Sequence, residues 1–554
     1  MDMKKRKFIF FLFFWLHACL MNFGLLFADE MEEHYLNYLH SFIFKDSVIS
    51  ELPCGFVYGL ALQQHWQELP FDVRLKLKKP YFNEPFLEDS MISPQGNFML
   101  HFDRTGVDAV PETDFSGNGI PDFIDSAAAI FDYVRSYEIQ VLGYQAPLGL
   151  DGNPVDIYHV FFQNLQTEYG STFAKDEIPG PSDYYRYTSY IILDNDFQNS
   201  NYLTRGLSGL KMTAAHEFLH AIQLSNRIWW IAGEPADLFL MEMTSTWIED
   251  VIYEEINNYL YYLPPLFKRF SNTSFTNIED LYPYGNSLFW HMVEKRFGRT
   301  AATEVWAKVR EKPGLDALND FFTDYNSSLA YQIHQYGIWM NFTGMQADTV
   351  NFFPEGDLYP NLNLQAVDIY NFQNSFAEQK KVLPLASRVL QIYLESGQEY
   401  SINAVSTQYN GFCSHISASD VLNTVQFYQN GMFTLWSDPS VRIILTNTIN
   451  DTAWVKYSLG TKLSGENDDF MVFPNPVILS ENDRLSFVNI PEPGDIFVFN
   501  SIGIQIFHHT ITNQYQIYSW DLKNKWGEPL SSGVYLFLFK SPNSNYTGKF
   551  TLVR

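Results

Sequence analysis

The chain has 554 residues, which at roughly 100–200 residues per domain predicts about three to five domains. Hydrophobic residues make up 46% and charged residues 18%, so the chain can bury cores and is not a disordered polyelectrolyte. The formal net charge of -27 excludes a nucleic-acid or anionic-membrane binder, whose phosphates would repel it, and an aromatic content of 17% fits β-rich architecture better than a helical bundle.

Residues 1–28 read as a secretory signal. Lys4, Lys5, Arg6 and Lys7 form a basic start, an apolar run follows to Phe27, and Ala28 precedes Asp29 and Glu30. The alternative is a membrane anchor, since about 20 apolar residues can span a bilayer. No later stretch has about 18 uncharged apolar residues, so the mature chain is expected to carry no transmembrane anchor and to be secreted or held at the cell surface. Residues 29–95 join a short helical run at 32–42 to a basic patch at 74–79, and form either a pro-segment or an ordinary N-terminal subdomain. Residues 96–345 alternate strand-like runs (155–162, 190–193) with helical ones (126–142, 210–224, 237–262, 287–297, 301–310), which predicts an α+β block. From 346 to 466 short strands such as 389–394 and 441–446 predict a β-sandwich, and 467–554 read as a second, smaller sandwich.

The cysteines are three. Cys19 falls in the leader, and Cys54 and Cys413 are too few for a disulfide-dense scaffold or an all-cysteine zinc site; they make one bridge or none. Asp114, Ser116, Asn118, Asp122 and Asp125 place side-chain oxygens at positions 1, 3, 5, 9 and 12 of a 12-position loop, with Gly119 at its sharp turn and the Ile120 carbonyl as a further ligand. This spacing predicts a structural calcium site. The alternative is an Asp/Asn/Gly turn that caps the following helix.

The strongest signal is His216-Glu217-Phe218-Leu219-His220. Histidines one turn apart share a helix face and can reach one metal, and Glu217 can polarise a metal-bound water and shuttle its proton. The alternative is a buried helix with two satisfied histidines. A catalytic zinc needs a third protein ligand, and Glu242 and Glu249 lie two turns apart on the next predicted helix. One can bind metal while the other, or Thr246, holds a ligand histidine; Glu249 and Asp250 can equally be a solvated helix end. Glu234, beside Pro235, reads as first-turn dipole compensation. Tyr282, Tyr284 and, more weakly, His291 are candidate donors to a developing oxyanion, with packing as the alternative for either tyrosine.

These residues carry resemblances. His216 to His220 followed by Glu242 on a second helix resembles the gluzincin branch of zinc metallopeptidases. His101-Phe102-Asp103-Arg104-Thr105-Gly106, Asn118-Gly119-Ile120-Pro121-Asp122, His216 to Gln223 and Glu242 to Asp250 resemble a family of secreted bacterial metalloproteases first noted in myxobacteria, over about residues 96–345. The resemblance implies a zincin-like fold, hydrolysis of protein or peptide substrates, zinc on His216, His220 and Glu242, and Glu217 as base. The thermolysin-like pattern has an Asp four residues after the ligand Glu, where this chain has Thr246. Tyr282-Pro283-Tyr284-Gly285 is similar to the Tyr-x-x-Gly setting of the catalytic Tyr in the aminopeptidase branch. Phe473-Pro474-Asn475-Pro476, Asn500-Ser501-Ile502-Gly503, Trp520-Asp521 and Ser532-Gly533-Val534-Tyr535 resemble the sorting domain of the type IX secretion system, which implies that export machinery as a partner.

The reading is thus a secreted zinc endopeptidase. The alternative is a calcium-stabilised surface adhesin with an inactive zincin domain, against which the intact Glu217 argues. Cys54, in Leu52-Pro53-Cys54-Gly55, faintly resembles the Pro-Arg-Cys-Gly segment that holds matrix metalloproteinases latent. A thiolate there would have to point into the His216, His220 and Glu242 cluster; a buried apolar cysteine and a disulfide to Cys413 are the alternatives.

Overall fold

The computed structural model describes residues 54–56, 59–60 and, with short internal breaks, 84–553. The expected leader, the helical run at 32–42, the basic patch at 74–79 and the Pro474-Asn475-Pro476 stretch lie outside the described residues. The protein is a multidomain, mixed α/β molecule with several β-sheets. Its contacts divide it into two compact units, Met1–Leu266 with Thr276–Asn326, and Phe267–Phe275 with Ser327–Arg554. Among the described residues no helix is long and apolar enough to cross a membrane.

The first unit is built on a five-stranded sheet in the order β1-β2-β3-β5-β4. The strands are β1 (Asp89–Ile92), β2 (Phe98–Phe102), β3 (Tyr158–Gln163), β4 (Gly170–Glu177) and β5 (Tyr187–Asp194). β2, β3 and β5 run parallel, and the two edges, β1 and β4, run antiparallel to their neighbours. Consecutive buried residues at Val160-Phe161-Phe162 and Tyr190-Ile191-Ile192-Leu193 are the mark of parallel strands covered on both faces. Three helices matter for the site: α1 (Asp122–Arg135), α2 (Gly206–Asn226) and α3 (Leu238–Ile252). α2 packs against β4, β5, α1 and α3, and α3 is buried along its whole length. A helix enclosed in this way needs apolar residues all round, so the few polar groups it carries need specific partners.

Three sequence expectations change here. The β1–β2 hairpin crosses the expected boundary at 95/96, because the short alternating run of β1 is a partner strand of the sheet. Asp132 of α1 fastens that hairpin: it accepts from the Ser93 hydroxyl and from the Gln95 backbone N–H, both at 2.8 Å. The helical run at 126–142 starts a turn earlier, at Asp122, and finishes as a π-helical turn, Ser136–Val141. The run at 237–262 breaks after Ile252. Asn257 takes a left-handed conformation (φ 50°), and a separate 3-10 turn, Asn258–Tyr262, follows.

In the second unit, two four-stranded sheets occupy the expected sandwich region. Strands Ser387–Tyr393 and Ser440–Asn447 pair antiparallel at the centre of one of them. The helix Leu329–Trp339 packs on that sheet, although the sequence places it within the 96–345 block. The approach is close enough that a Cβ on Gly337 would stand 2.5 Å from the Ser387 hydroxyl. The C-terminal strands form a three-stranded and a five-stranded sheet around one apolar core. Asn500 to Gly503 makes a turn, with the Gly503 N–H donating to the Asn500 carbonyl (2.9 Å) and φ +83° at Gly503. The poor alternation of Val534 to Phe539 reads as a strand buried on both faces, but in strand Gly533–Lys540 Tyr535, Phe537 and Phe539 are buried while Val534 and Leu536 are exposed, because only one face is covered.

Replacing Asp132 by Ala leaves the Gln95 N–H without its acceptor and is expected to cost about 1–3 kcal/mol. A lower denaturant midpoint for the unit that contains it checks this.

Candidate metal centre

His216 and His220 sit mid-way along α2 with their Nε2 atoms 3.1 Å apart. Glu242 reaches the same point from α3, its Oε2 3.4 Å from His216 Nε2 and its Oε1 3.6 Å from His220 Nε2. The opposite ring nitrogens are already engaged. His216 Nδ1 lies 2.8 Å from Glu249 Oε1, and His220 Nδ1 lies 2.7 Å from Gln223 Oε1. Both partners are acceptors, so Nδ1 carries a proton in each ring and Nε2 is the nitrogen left facing Glu242. Gln223 is oriented by donating its amide to the Met241 carbonyl (3.2 Å), and Glu249 by accepting from Asn258 Nδ2 (3.1 Å).

Two imidazole Nε2 atoms and a carboxylate thus converge in a buried place. Neither Glu242 oxygen has a hydrogen-bond partner among the described residues. Left alone, such a group costs several kcal/mol, or takes up a proton. Burial would lower the His216 pKa, yet the Glu242 and Glu249 carboxylates overturn this and push it up to about 10. Burial would raise Glu242, but His220 and His216 hold it down to about 2. A cluster of two imidazole nitrogens and one carboxylate could hold a cation, which would take the place of the second proton on His216. Among the described residues, one further ligand atom joins the cluster: Cys54, His216, His220 and Glu242 each offer an atom, all within 4.8 Å of one another.

Glu217 is fully buried beside the histidines. The Thr172 hydroxyl, on β4, lies 2.7 Å from Glu217 Oε2 and 2.8 Å from the Glu217 carbonyl, while Oε1 has no hydrogen-bond partner. One carboxylate oxygen is therefore positioned and the other is available. Of the two tyrosines, Tyr284 lies over His216 with ring centroids 6.0 Å apart and planes at 14°. Its turn, Tyr282–Gly285, presses so closely on Tyr262 that a Cβ on Gly285 would stand 2.6 Å from the Tyr262 carbonyl. Tyr282 is buried in the same turn. His291 has Asp250 at 4.0 Å and stacks on Tyr259, and burial pushes its pKa down to about 3, so it is a neutral packing histidine. Glu249 and Asp250 are buried, not a solvated helix end, and the buried Thr246 hydroxyl has no hydrogen-bond partner among the described residues. Glu234 pairs with Ile231 in a two-stranded ribbon ahead of α3.

Several contributors were missed in the sequence. Thr172 lies on β4, a strand that was not predicted. Asn258 follows a helix break that was read as helix. Gln223, three residues after His220, shares its face and could have been found by the same spacing argument. Glu138, in the π-helical turn, is fully buried with both oxygens lacking a hydrogen-bond partner, and burial pushes its carboxyl well above the usual range.

In the stretch from Asp114 to Asp125, Phe115 to Gly119 are exposed, Asp114, Asp122 and Asp125 are half-buried, and the side chains bond within the stretch. Asp114 accepts from the backbone N–H of Gly117 (2.7 Å) and Gly119 (2.9 Å), Asp122 from that of Phe115 (3.0 Å), and Asp125 from the Asn118 amide (2.9 Å). Asp114, Asp122 and Asp125 do not form a second cluster of converging ligand atoms among the described residues.

No family model and no curated protein matches the sequence. Among solved structures, PorZ, a surface component of the Porphyromonas gingivalis type IX secretion system, is 16% identical with a TM-score of 0.15 over 22% of this chain and 15% of that one. Dimeric latent PorU of the same organism is 14% identical with a TM-score of 0.13 over 34% of this chain and 19% of that one. Legionella pneumophila aminopeptidase A in complex with aspartic acid is 11% identical with a TM-score of 0.30, over 66% of this chain and 36% of that one. The chain spans a minor part of each of these three, and the likenesses fall below that of a shared overall fold.

The self-bonded loop predicts that Asp114→Ala lowers the melting temperature whether or not calcium is present. A calcium titration at fixed zinc checks this. A melting temperature that rises with calcium in the parent and not in the variant would establish the ion in the loop.

Proposed function

We propose that this protein is a secreted zinc-dependent endopeptidase, taken to the outside by its N-terminal signal and by the type IX machinery acting on its C-terminal module. The observation that carries the reading is the convergence of His216 Nε2, His220 Nε2 and the buried Glu242 carboxylate, with a Glu217 oxygen that has no hydrogen-bond partner beside them. The export part rests on the C-terminal motifs quoted above.

Zinc bound by His216, His220 and Glu242 would supply Lewis acidity toward a peptide carbonyl and toward the attacking water. The chain's own residues do the rest. Glu249 and Gln223 fix both rings with Nε2 inward. Glu217 Oε1 takes the proton from the attacking water and passes it to the leaving amine, while the Thr172 hydroxyl steadies Oε2. The Tyr284 hydroxyl is the donor to the oxyanion, and because burial keeps its pKa high it retains its proton. β4 is a sheet edge, so an extended peptide can pair with it and lie across the cluster.

Metal analysis of the purified protein should find about one zinc per chain, lost in His216→Ala and in His220→Ala. Full zinc in both variants would remove the site. Glu217→Gln should keep the metal and lose at least roughly a hundredfold in casein hydrolysis.

Glu242→Ala should lower metal affinity far more than Glu249→Ala, for which a loss of about 10–100-fold is expected because Glu249 acts through His216. The reverse ranking would make Glu249 the ligand. Tyr284→Phe should lower kcat by about 10²–10³ with little change in KM, the effect of a lost oxyanion donor, and Tyr282→Phe should not.

A further inference from the structure

The short segment 54–56 lies in the proposed active centre. Cys54 is free, 2% exposed, and offers its sulfur within 4.8 Å of the ligand atoms of His216, His220 and Glu242. A cysteine that is only an apolar filler has no reason to face a carboxylate and two imidazole nitrogens. The Phe56 backbone N–H donates to Cys54 Sγ (3.3 Å), which fixes the direction of the sulfur. The Phe56 ring stacks on His220, with centroids 4.0 Å apart and planes at 10°.

The rest of the segment takes up the places of a substrate. Cys54 forms a parallel β-bridge with Gly170, and the Gly55 N–H donates to the Ser171 hydroxyl (2.9 Å), so the segment lies along the open edge of β4. The Tyr284 hydroxyl donates to the Cys54 carbonyl at 3.5 Å. Strand edge, hydroxyl donor and metal-facing position are thus all taken by one short stretch of chain.

We propose that segment 54–56 is a built-in plug, with the Cys54 thiolate as a fourth ligand that keeps the metal centre latent. This rests on the reading of the centre as a zinc peptidase site. Metal binding would release the thiol proton to solvent and close a set of one sulfur, two nitrogens and one oxygen. A tetrahedral site closed by four protein ligands leaves no position for the attacking water. The segment precedes β1, the first strand of the described sheet, so its departure removes no strand of that sheet and no ligand other than Cys54.

The test uses the full chain loaded with cobalt(II) in place of zinc. The parent should show a near-ultraviolet thiolate-to-cobalt charge-transfer band together with visible d–d bands. Cys54→Ala and Cys54→Ser should lose the first and keep the second, which also reports that the centre is folded. In the zinc form both variants should hydrolyse casein at least about tenfold faster than the parent, as expected if no more than about a tenth of parent molecules have the plug released. Visible bands in the parent without the thiolate band would overturn the plug while sparing the metal centre. A thiolate band with equal activity in parent and variants would overturn latency. Failure of every chain to bind cobalt would overturn the metal reading and the plug with it.

Discussion

Two protons on the outer nitrogens of two histidines govern the centre of this molecule. Because Glu249 and Gln223 each accept from an Nδ1, both Nε2 atoms are turned toward the same point, where Glu242 also brings its carboxylate. If either acceptor were absent, a ring could turn and take its Nε2 away from Glu242. The outer partners hold the two rings in the orientation that a cation bound by both Nε2 atoms and Glu242 requires. The surrounding fold serves this arrangement. α2 is enclosed by sheet and helices, so His216 and His220 are buried and held in place by packing. α3 lies against it with Glu242 and Glu249 two turns apart, one reaching the inner and one the outer nitrogen of the same imidazole.

The parts of the site that share one regular element were legible from spacing. His216, Glu217 and His220 follow from one turn of helix, and Glu242 with Glu249 from two turns of the next, because a helix converts sequence distance into a shared face. What spacing left open was which carboxylate meets which nitrogen, since that depends on how α2 and α3 cross. The choice between Tyr282 and Tyr284 was open for a similar reason: the turn that carries them is placed by the contact of Gly285 with the Tyr262 carbonyl.

Contributions from other elements were hidden for definite reasons. Thr172 lies on β4, whose sequence Gly-Ser-Thr-Phe-Ala-Lys-Asp-Glu ends in charged, exposed residues and does not read as a strand. Asn258 supports Glu249 only because the chain turns at Asn257, a left-handed residue inside what reads as continuous helix. At the level of the fold, the strand-like runs at 155–162 and 190–193 correspond to β3 and β5, and the longer helical runs correspond to helices with shifted ends. The hairpin that crosses 95/96 and the helix Leu329–Trp339 depend on tertiary pairing, which local pattern does not encode.

Segment 54–56 brings these two kinds of information together. In sequence Cys54 is an isolated thiol far from the histidines, and only the bridge to Gly170 brings it to them. On the proposed reading of the centre as a peptidase site, an internal plug has to satisfy the groups that would otherwise attract substrate, without being cut itself. An extended backbone satisfies the β4 edge, and a peptide carbonyl satisfies the Tyr284 hydroxyl. A third group then has to displace water from the centre, or Glu217 would have a water to activate against the plug. A thiolate suits that place better than a peptide oxygen, because it is a strong ligand for zinc and has no scissile bond. The geometry at Cys54 meets all three requirements with three residues, and it links the proposed chemistry of the centre to a means of holding that chemistry in check until the segment leaves.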